Sequence, residues 1–344
     1  MEPKLNYRMK NITKICTLLL LGMAISFTAC KTDGKKAAST ENIPAPKQRK
    51  VPSFRADSAY QFVVDQLTFG VRYPGSEGQQ KMINYITSKM KGYGAKVYTQ
   101  DFRVDFLGLK DQPATNIIAS FNPEVSKRVL LCAHWDSRYI AEKDADPAMQ
   151  KKPIMGADDG ATGTAALIEI ARLIKENGID IGIDLVFFDA EDQGDDSSNT
   201  TWCLGSQYWS KNPHVSGYKA KFGILLDMVG AKGAQFGREY YSANFPGTKR
   251  VQDKVWQLAQ AMGYGDYFQD FDAGGVMDDH YYVNQVRGIP TIDIINRPVG
   301  TTEHGFGHYH HTHKDDISIV DKRTLKVVGQ VVTAVIYNES SGKF

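Results

Sequence analysis

Residues Leu185–Asp192 read LVFFDAED, a short apolar run ending in the acids Asp189, Glu191 and Asp192. Consecutive large apolar residues suit a strand buried on both faces. An open α/β sheet places its ligand crevice at the C-terminal edge of such a strand. Three carboxylates crowded there repel, so solvent, a basic neighbour or a metal ion must compensate. A solvated turn would satisfy the same eight residues, and only the rest of the chain separates the two readings.

The 344 residues, 42% of them hydrophobic, suffice for one large α/β domain with a real core. Their organisation follows from hydrophobic period and turn signals. Helical spacing predicts helices over 58–69, with Asp57 as cap, and over 79–91, 160–176, 251–262 and 322–337, with a short one over 279–284. Alternating or continuous apolar runs predict strands over 95–106, 116–121, 128–134, 185–190, 221–228 and 290–296. Strand and helix alternate through the second half. The expected fold is therefore a single-domain α/β/α sandwich with a mixed, mostly parallel central sheet and helices on both faces.

The N-terminus is of another kind. Lys4, Arg8, Lys10 and Lys14 precede the apolar run Ile15–Ala29, which is followed by Cys30. The run is short for a transmembrane helix and fits a signal peptide over 1–29. Phe27-Thr28-Ala29-Cys30 resembles a bacterial lipoprotein box, which implies cleavage before Cys30 and a lipid on its sulfur. Residues 30–52 are polar and without period, as in a flexible linker, and lead to a catalytic domain over 53–344. The expected location is periplasmic or outer-membrane, with the lipid on Cys30 as the membrane contact. Without the first 29 residues, 37 bases face 38 acids, so there is no basic field for nucleic acid. Of the cysteines beyond Cys30, Cys132 and Cys203 remain, and the sequence leaves their pairing open.

Noteworthy acids and histidines recur after apolar runs: His134 and Asp136, Asp158 and Asp159, Glu191 and Asp192, Asp227, Asp278 to His280, and His308 to His313. A doubly wound sheet would gather these loops on one edge. Carboxylate and imidazole are zinc-type donors, and a catalytic zinc takes three protein ligands and keeps one position open. An acid left off the metal, such as Glu191 beside Asp192, could then move protons. Singly, each group is equally well a turn, a helix cap or surface polarity; together they point to a metal-dependent site.

From about Ser53 onward, AHWDSR, GADDGATG, FFDAEDQG, LLDMVG and HHTHKDD resemble the zinc aminopeptidases. More specifically they resemble the glutaminyl-peptide cyclotransferase branch of that fold. That branch converts N-terminal glutamine to pyroglutamate around a single zinc. The resemblance implies one zinc held by Asp159, Asp192 and His311, with His310 and His313 as other registers of the histidine. It makes Glu191 the proton carrier, with Asp227 and Asp278 as hydrogen-bonded supporting acids; on physical grounds two such neighbouring carboxyls would share a proton. Asp192 stands where the animal cyclases have Glu. Trp202, Phe306 and Tyr309 are candidates to wall the substrate pocket, and peptides or exported proteins with N-terminal glutamine are the expected substrates.

A two-zinc aminopeptidase would use nearly the same residues, with His134, Asp159, Asp192, Asp227 and His311 as five ligands and Glu191 as base. His134 and Asp136 are the candidates to support the ligands or to hold a second metal. Three features favour the cyclase: the long segment Arg138–Asp159 after AHWDS, the long loop from Asp192 to Leu204-Gly205-Ser206, and Met277-Asp278-Asp279-His280. A non-catalytic peptide-binding lipoprotein on the same fold is the third reading. It is disfavoured because the whole acid set, Glu191 included, is in place.

Overall fold

The computed structural model describes residues 48–195, 197–300 and 305–344; the expected signal segment and Cys30 lie outside them. Among the described residues, eight strands and eight α-helices are formed. The strands are β1 (Lys96–Phe106), β2 (Leu109–Phe121), β3 (Arg128–His134), β4 (Gly182–Phe188), β5 (Gly223–Asp227), β6 (Phe236–Arg238), β7 (Phe268–Asp272) and β8 (Thr291–Ile295). The helices are α1 (Ala56–Leu67), α2 (Glu77–Gly92), α3 (Ala161–Asn177), α4 (Leu204–Lys211), α5 (Tyr240–Asn244), α6 (Thr248–Ala261), α7 (Asp279–Tyr282) and α8 (Lys322–Ser340).

The main sheet has the order β1-β2-β4-β3-β5-β8, in which β2 pairs antiparallel with both neighbours and the remaining pairs are parallel. This is the expected mixed, mostly parallel sheet. Every residue of β3, β4, β5 and β8 is buried, as strands covered on both faces must be. Side-chain alternation splits the core. Leu131, Leu185, Ile224 and Ile292 face a large layer built from α1, α2, α3, α6 and α8. Leu130, Val186 and Leu225 face a smaller one that includes Trp209 of α4 and Val283 after α7. Helices cover both faces, unequally.

Most departures from the expected elements are at edges. β2 begins at Leu109 rather than Asn116, because Leu107 and Gly108 adopt left-handed φ and fold β1 back onto an exposed, polar hairpin arm. Asp57 lies in the first turn of α1 and makes no capping bond; Ser76 does cap α2, accepting from Gln79 N at 3.1 Å. The strand expected over 185–190 runs instead over Gly182–Phe188, which leaves Asp189, Glu191 and Asp192 beyond its last residue. The short parallel pair β6 and β7 lacks a run long enough to read. The end of the expected linker is docked, since Arg49 forms a bidentate pair with Asp180 at 2.8 and 2.7 Å. Among the described residues, no helix is long and apolar enough to cross a membrane.

One buried ion pair ties the sheet together opposite the site. Asp184 of β4 accepts from Arg128 of β3 at 2.7 Å through each oxygen, and also from Ser120 of β2 (2.5 Å) and Tyr218 (2.8 Å). Removing the carboxylate leaves a largely buried guanidinium without its charge partner. Asp184→Ala should therefore lower unfolding free energy by about 3–5 kcal/mol in urea titration. A change below about 1 kcal/mol would place the pair among weak surface contacts.

Candidate active site

The carboxyl ends of β3, β4 and β5 and the loop after β8 converge as a parallel sheet requires. His134 ends β3, Asp227 ends β5, and Asp159 lies in the turn before α3. Gly160 makes this convergence possible. It holds φ +87°, and a Cβ there would lie 2.6 Å from Asp136 O and 2.9 Å from the His134 ring. Gly163 one turn on lets α3 press against β5, where a Cβ would meet Leu226 O at 2.1 Å.

Four of the seven described non-glycine residues with left-handed φ lie at the same edge: Ala190 (55°), Cys203 (56°), Met228 (46°) and His311 (58°). Such conformations carry a cost and persist where the surroundings over-determine them. Each sits beside a functional side chain or is one, and the surrounding hydrogen bonds show what enforces them. Asp136 accepts from the backbone N–H groups of Glu191 (3.1 Å) and Asp192 (3.2 Å) and from Gln193 Nε2 (2.8 Å). It thereby sets the turn that presents both acids. Asp315 does the same for the facing turn, accepting from Asp158 N at 2.7 Å and Asp159 N at 3.1 Å.

Asp159, Asp192 and His311, the expected ligands, come together. His311 Nε2 lies 3.0 Å from Asp192 Oδ1 and 3.9 Å from Asp159 Oδ2. Its Nδ1 is held at 2.5 Å by Glu142, which Arg138 Nε grips from the other side at 2.7 Å. A histidine with one nitrogen fixed by a carboxylate and the other turned toward acids is the second-layer arrangement of metal-binding imidazoles. Asp192 Oδ2 is buried and has no hydrogen-bond partner. An orphaned carboxylate oxygen beside two further donors fits a cation, and the oxygen and nitrogen donor set suits zinc.

The histidine register is only partly resolved by geometry, because His310 Nε2 also lies 3.9 Å from Asp159 Oδ2. His310 stacks on His311 with centroids 3.7 Å apart, and its Nδ1 meets Lys143 Nζ at 2.7 Å. His313 faces away and pairs with Asp144 at 2.9 Å. His134 and Asp227 form a second donor group around the same Asp159: His134 Nε2 lies 3.0 Å from Asp159 and 3.2 Å from Asp227. Asp136, the other second-metal candidate, is fully engaged by the 191–193 turn and by His134 Nδ1 at 3.3 Å. Its role is to orient.

Charge sets the protonation. Burial pushes Glu191 well above the ordinary carboxyl range, and although His134 opposes this, Asp278, Asp192 and Asp279 add to it. Burial also raises Asp227, to about 8, against the His134 bond and with help from Asp278. His134 is raised because its bonds to Asp136, Asp159 and Asp227 outweigh the effect of burial. Asp158, pushed up to about 6 by burial, accepts from Tyr309 at 2.5 Å and Gly230 N at 2.7 Å.

These side chains open onto a cavity of ≈ 480 Å³ whose lining includes Glu191, Asp227, Asp278, Trp202 and Phe306. Trp202 stacks on His311 (5.9 Å between centroids) and Phe306 on His310 (4.2 Å), so two of the three expected aromatics wall it. Tyr309, expected beside them, is buried and directed at Asp158 and Asn296 instead. Its sequence neighbours, His308 and His310, do not disclose that its hydroxyl has two distant polar partners. The expected Asp227–Asp278 proton pair is part of a larger set. Asp278, Asp293 and the His280 ring offer atoms within 4.8 Å of one another, and His280 Nε2 meets Glu239 at 3.1 Å. Cys132 and Cys203 are both buried free thiols, so they do not pair.

The model of peptidase family M28 matches residues 116–336, which span all of these turns. The chain belongs to peptidase family M28. Within it, the chain is similar to a crystallised Zn-dependent exopeptidase from Parabacteroides distasonis, 47% identical with TM-score 0.81 over 84% of this chain and 100% of that one. It is comparably similar to the crystallised glutaminyl cyclase of Bacteroides thetaiotaomicron, 45% identical with TM-score 0.80 over 84% and 99%. A curated glutaminyl-peptide cyclotransferase from Gloydius blomhoffii is 24% identical over 77% of this chain and 76% of its own length. This M28 chain is thus an enzyme of a zinc-dependent family.

Glu142, Arg138, Asp293 and Glu239 were missed as site residues. Glu142 sits in a polar segment without period. Asp293 carried a readable signal, an acid inside the otherwise apolar TIDII strand. If the donors hold a cation, chelation of the purified protein should remove zinc and lower its melting temperature by several degrees. His311→Ala should lose zinc outright, and Glu142→Gln should weaken zinc affinity about 10–100-fold. Full zinc occupancy in His311→Ala would shift the histidine role to His310.

Proposed function

We propose that this M28 chain is a glutaminyl-peptide cyclotransferase that closes N-terminal glutamine to pyroglutamate with release of ammonia. The observation that carries the reading is Glu191. Its carboxyl lines the cavity next to the ligand Asp192 and is desolvated, which raises its affinity for a proton. That is the property a carrier needs if it is to take a proton from one nitrogen and return it to another. The similarity to a glutaminyl cyclase over nearly its whole length, and to a curated cyclotransferase, supports cyclisation as the chemistry.

Asp159, Asp192 and His311 would hold one zinc, which supplies Lewis acidity toward the substrate's side-chain carbonyl when bound. The substrate's own α-amine is the nucleophile. A bond forms between that nitrogen and the side-chain amide carbon, and the bond from that carbon to its nitrogen breaks. The cavity walls, Trp202 and Phe306 among them, would hold the glutamine folded so that amine and amide carbon meet, an intramolecular step in which positioning supplies much of the rate. Glu191 would accept the amine proton and deliver it to the departing ammonia. Asp227 and Asp278, on the same cavity, would stabilise ammonium character on either nitrogen. The proton balance closes without water as nucleophile.

Hydrolysis of N-terminal residues is the second reading, because His134, Asp159 and Asp227 form a donor group for another cation and a structural neighbour is an exopeptidase. Purified enzyme given Gln-peptides and Leu- or Ala-peptides separates the two. Ammonia release from the first without free amino acid from the second is expected. Free leucine or alanine as the main product would contradict the proposal. Glu191→Gln should lower kcat about 100-fold or more with zinc retained; unchanged turnover would remove Glu191 from its role.

The proposal extends to place and partners: an exported enzyme, tethered by a lipid on Cys30, acting on exported chains whose processed N-terminus is glutamine. The basic and apolar N-terminal sequence supports this. An alkyne-tagged fatty acid should label the protein in cells and fail to label Cys30→Ala; equal labelling of both would contradict lipidation at Cys30.

A further inference from the structure

Beside Glu191 stands a buried cysteine that the mechanism above does not use. Cys203 Sγ lies 3.2 Å from Glu191 Oε1, while the nearest cationic group, His134 Nδ1, is 3.9 Å from Glu191 Oε2. We propose that Cys203 is the positioning residue for Glu191, its thiol holding the carboxyl in the orientation from which it carries protons. This rests on the reading of Glu191 given under the proposed function.

The backbone makes the same connection. Cys203 N donates to Glu191 O at 2.8 Å, and Leu204 N donates to Ala190 O at 3.0 Å. The long loop after Asp192 therefore returns to the turn it left, and the first residues of α4 are laid along 190–191. Cys203 adopts left-handed φ (56°) immediately before α4, as Ala190 does (55°) immediately before Glu191. Two uncommon conformations on facing strands of one connection bring the thiol to the carboxyl. Met277 O, 3.5 Å from the same sulfur, is the alternative acceptor for its single hydrogen, and Glu191 Oε1 at 3.2 Å is the nearer of the two.

Cysteine suits this task chemically. A charged donor such as Lys or Arg would lock the carboxylate into an ion pair. A thiol is a weak, neutral donor, so it can fix geometry without pairing the charge. Burial, with Glu191, Asp279 and Asp278 nearby, keeps the thiol itself protonated and able to donate. Its size also fills a fully buried position without admitting water.

The test compares zinc-loaded wild type, Cys203→Ala and Cys203→Ser for ammonia release from a Gln-peptide, with zinc content measured on each. Loss of the donor should lower kcat in Cys203→Ala about 10–100-fold while KM stays within about twofold and zinc is unchanged. Cys203→Ser, which keeps a donor, should retain kcat within about threefold. Wild-type kcat in Cys203→Ala, or an equal fall in both variants, would overturn the assignment and leave Cys203 as packing. Should Cys203→Ala fail to fold, the serine variant decides. A folded, zinc-loaded Cys203→Ser slowed about tenfold or more would overturn the proposal. Wild type that releases no ammonia would instead defeat the function on which the inference stands.

Discussion

The concentration of buried carboxylates at one edge of the sheet is the constraint on which the rest of the structure depends. Asp136, Asp159, Asp192, Asp227 and Asp278 are all less than a tenth exposed and are packed with few cations among them. Isolated charges of this kind do not survive burial; they are neutralised, hydrogen-bonded or matched by a metal. All three solutions appear. Asp136 and Asp315 are satisfied by backbone N–H groups and serve as scaffolding. Glu191, Asp227 and Asp278 are driven toward the protonated form. Asp159 is held ionised, its burial outweighed by His134 and His311, and Asp192 keeps an oxygen with no partner. Where neither protons nor donors finish the accounting, a cation is the remaining physical answer.

The same constraint explains the backbone. Acids can be brought this close only if their turns are tight, and tight turns here use left-handed residues at Ala190, Met228 and His311, with Gly160 against the His134 ring. The scaffolding lies in rigid surroundings: fully buried parallel strands below, and a capping network of Arg138, Glu142 and stacked aromatic rings above. Arg138 links the layers. Its guanidinium bonds Asp192 O at 2.8 Å and Glu142, and it lies over the Trp202 ring at 4.6 Å. Ligand, orienting acid and pocket wall are thus held by one side chain, so the metal site and the substrate cavity are a single construction.

Much of this was legible in the chain because strand ends are legible. β3 runs over Arg128–His134 as its apolar run indicates, and His134, Glu191, Asp192 and Asp227 fall at or just past the ends of buried strands. What escaped reading was long-range or contrary to local pattern. Glu142 reaches His311 across 169 positions of sequence, which no periodicity records. Tyr309 looked like a pocket aromatic, yet its hydroxyl serves Asp158 in the interior. Asp293 was absorbed into the strand that contains it, although one acid in an apolar run is itself a sign of a buried polar partner. The hairpin arm of β2 was lost because polar residues and Pro113 mask a segment that pairs with β1 alone.

The central claim is one cation seated by Asp159, Asp192 and His311 with Glu191 left off the metal. Anomalous diffraction at the zinc absorption edge from crystals of the intact purified protein tests it most directly. The account predicts a single strong peak about 2 Å from donor atoms of those three residues and well beyond bonding distance of Glu191. A second peak of equal height between His134 and Asp227, or a peak bonded to Glu191, would contradict it.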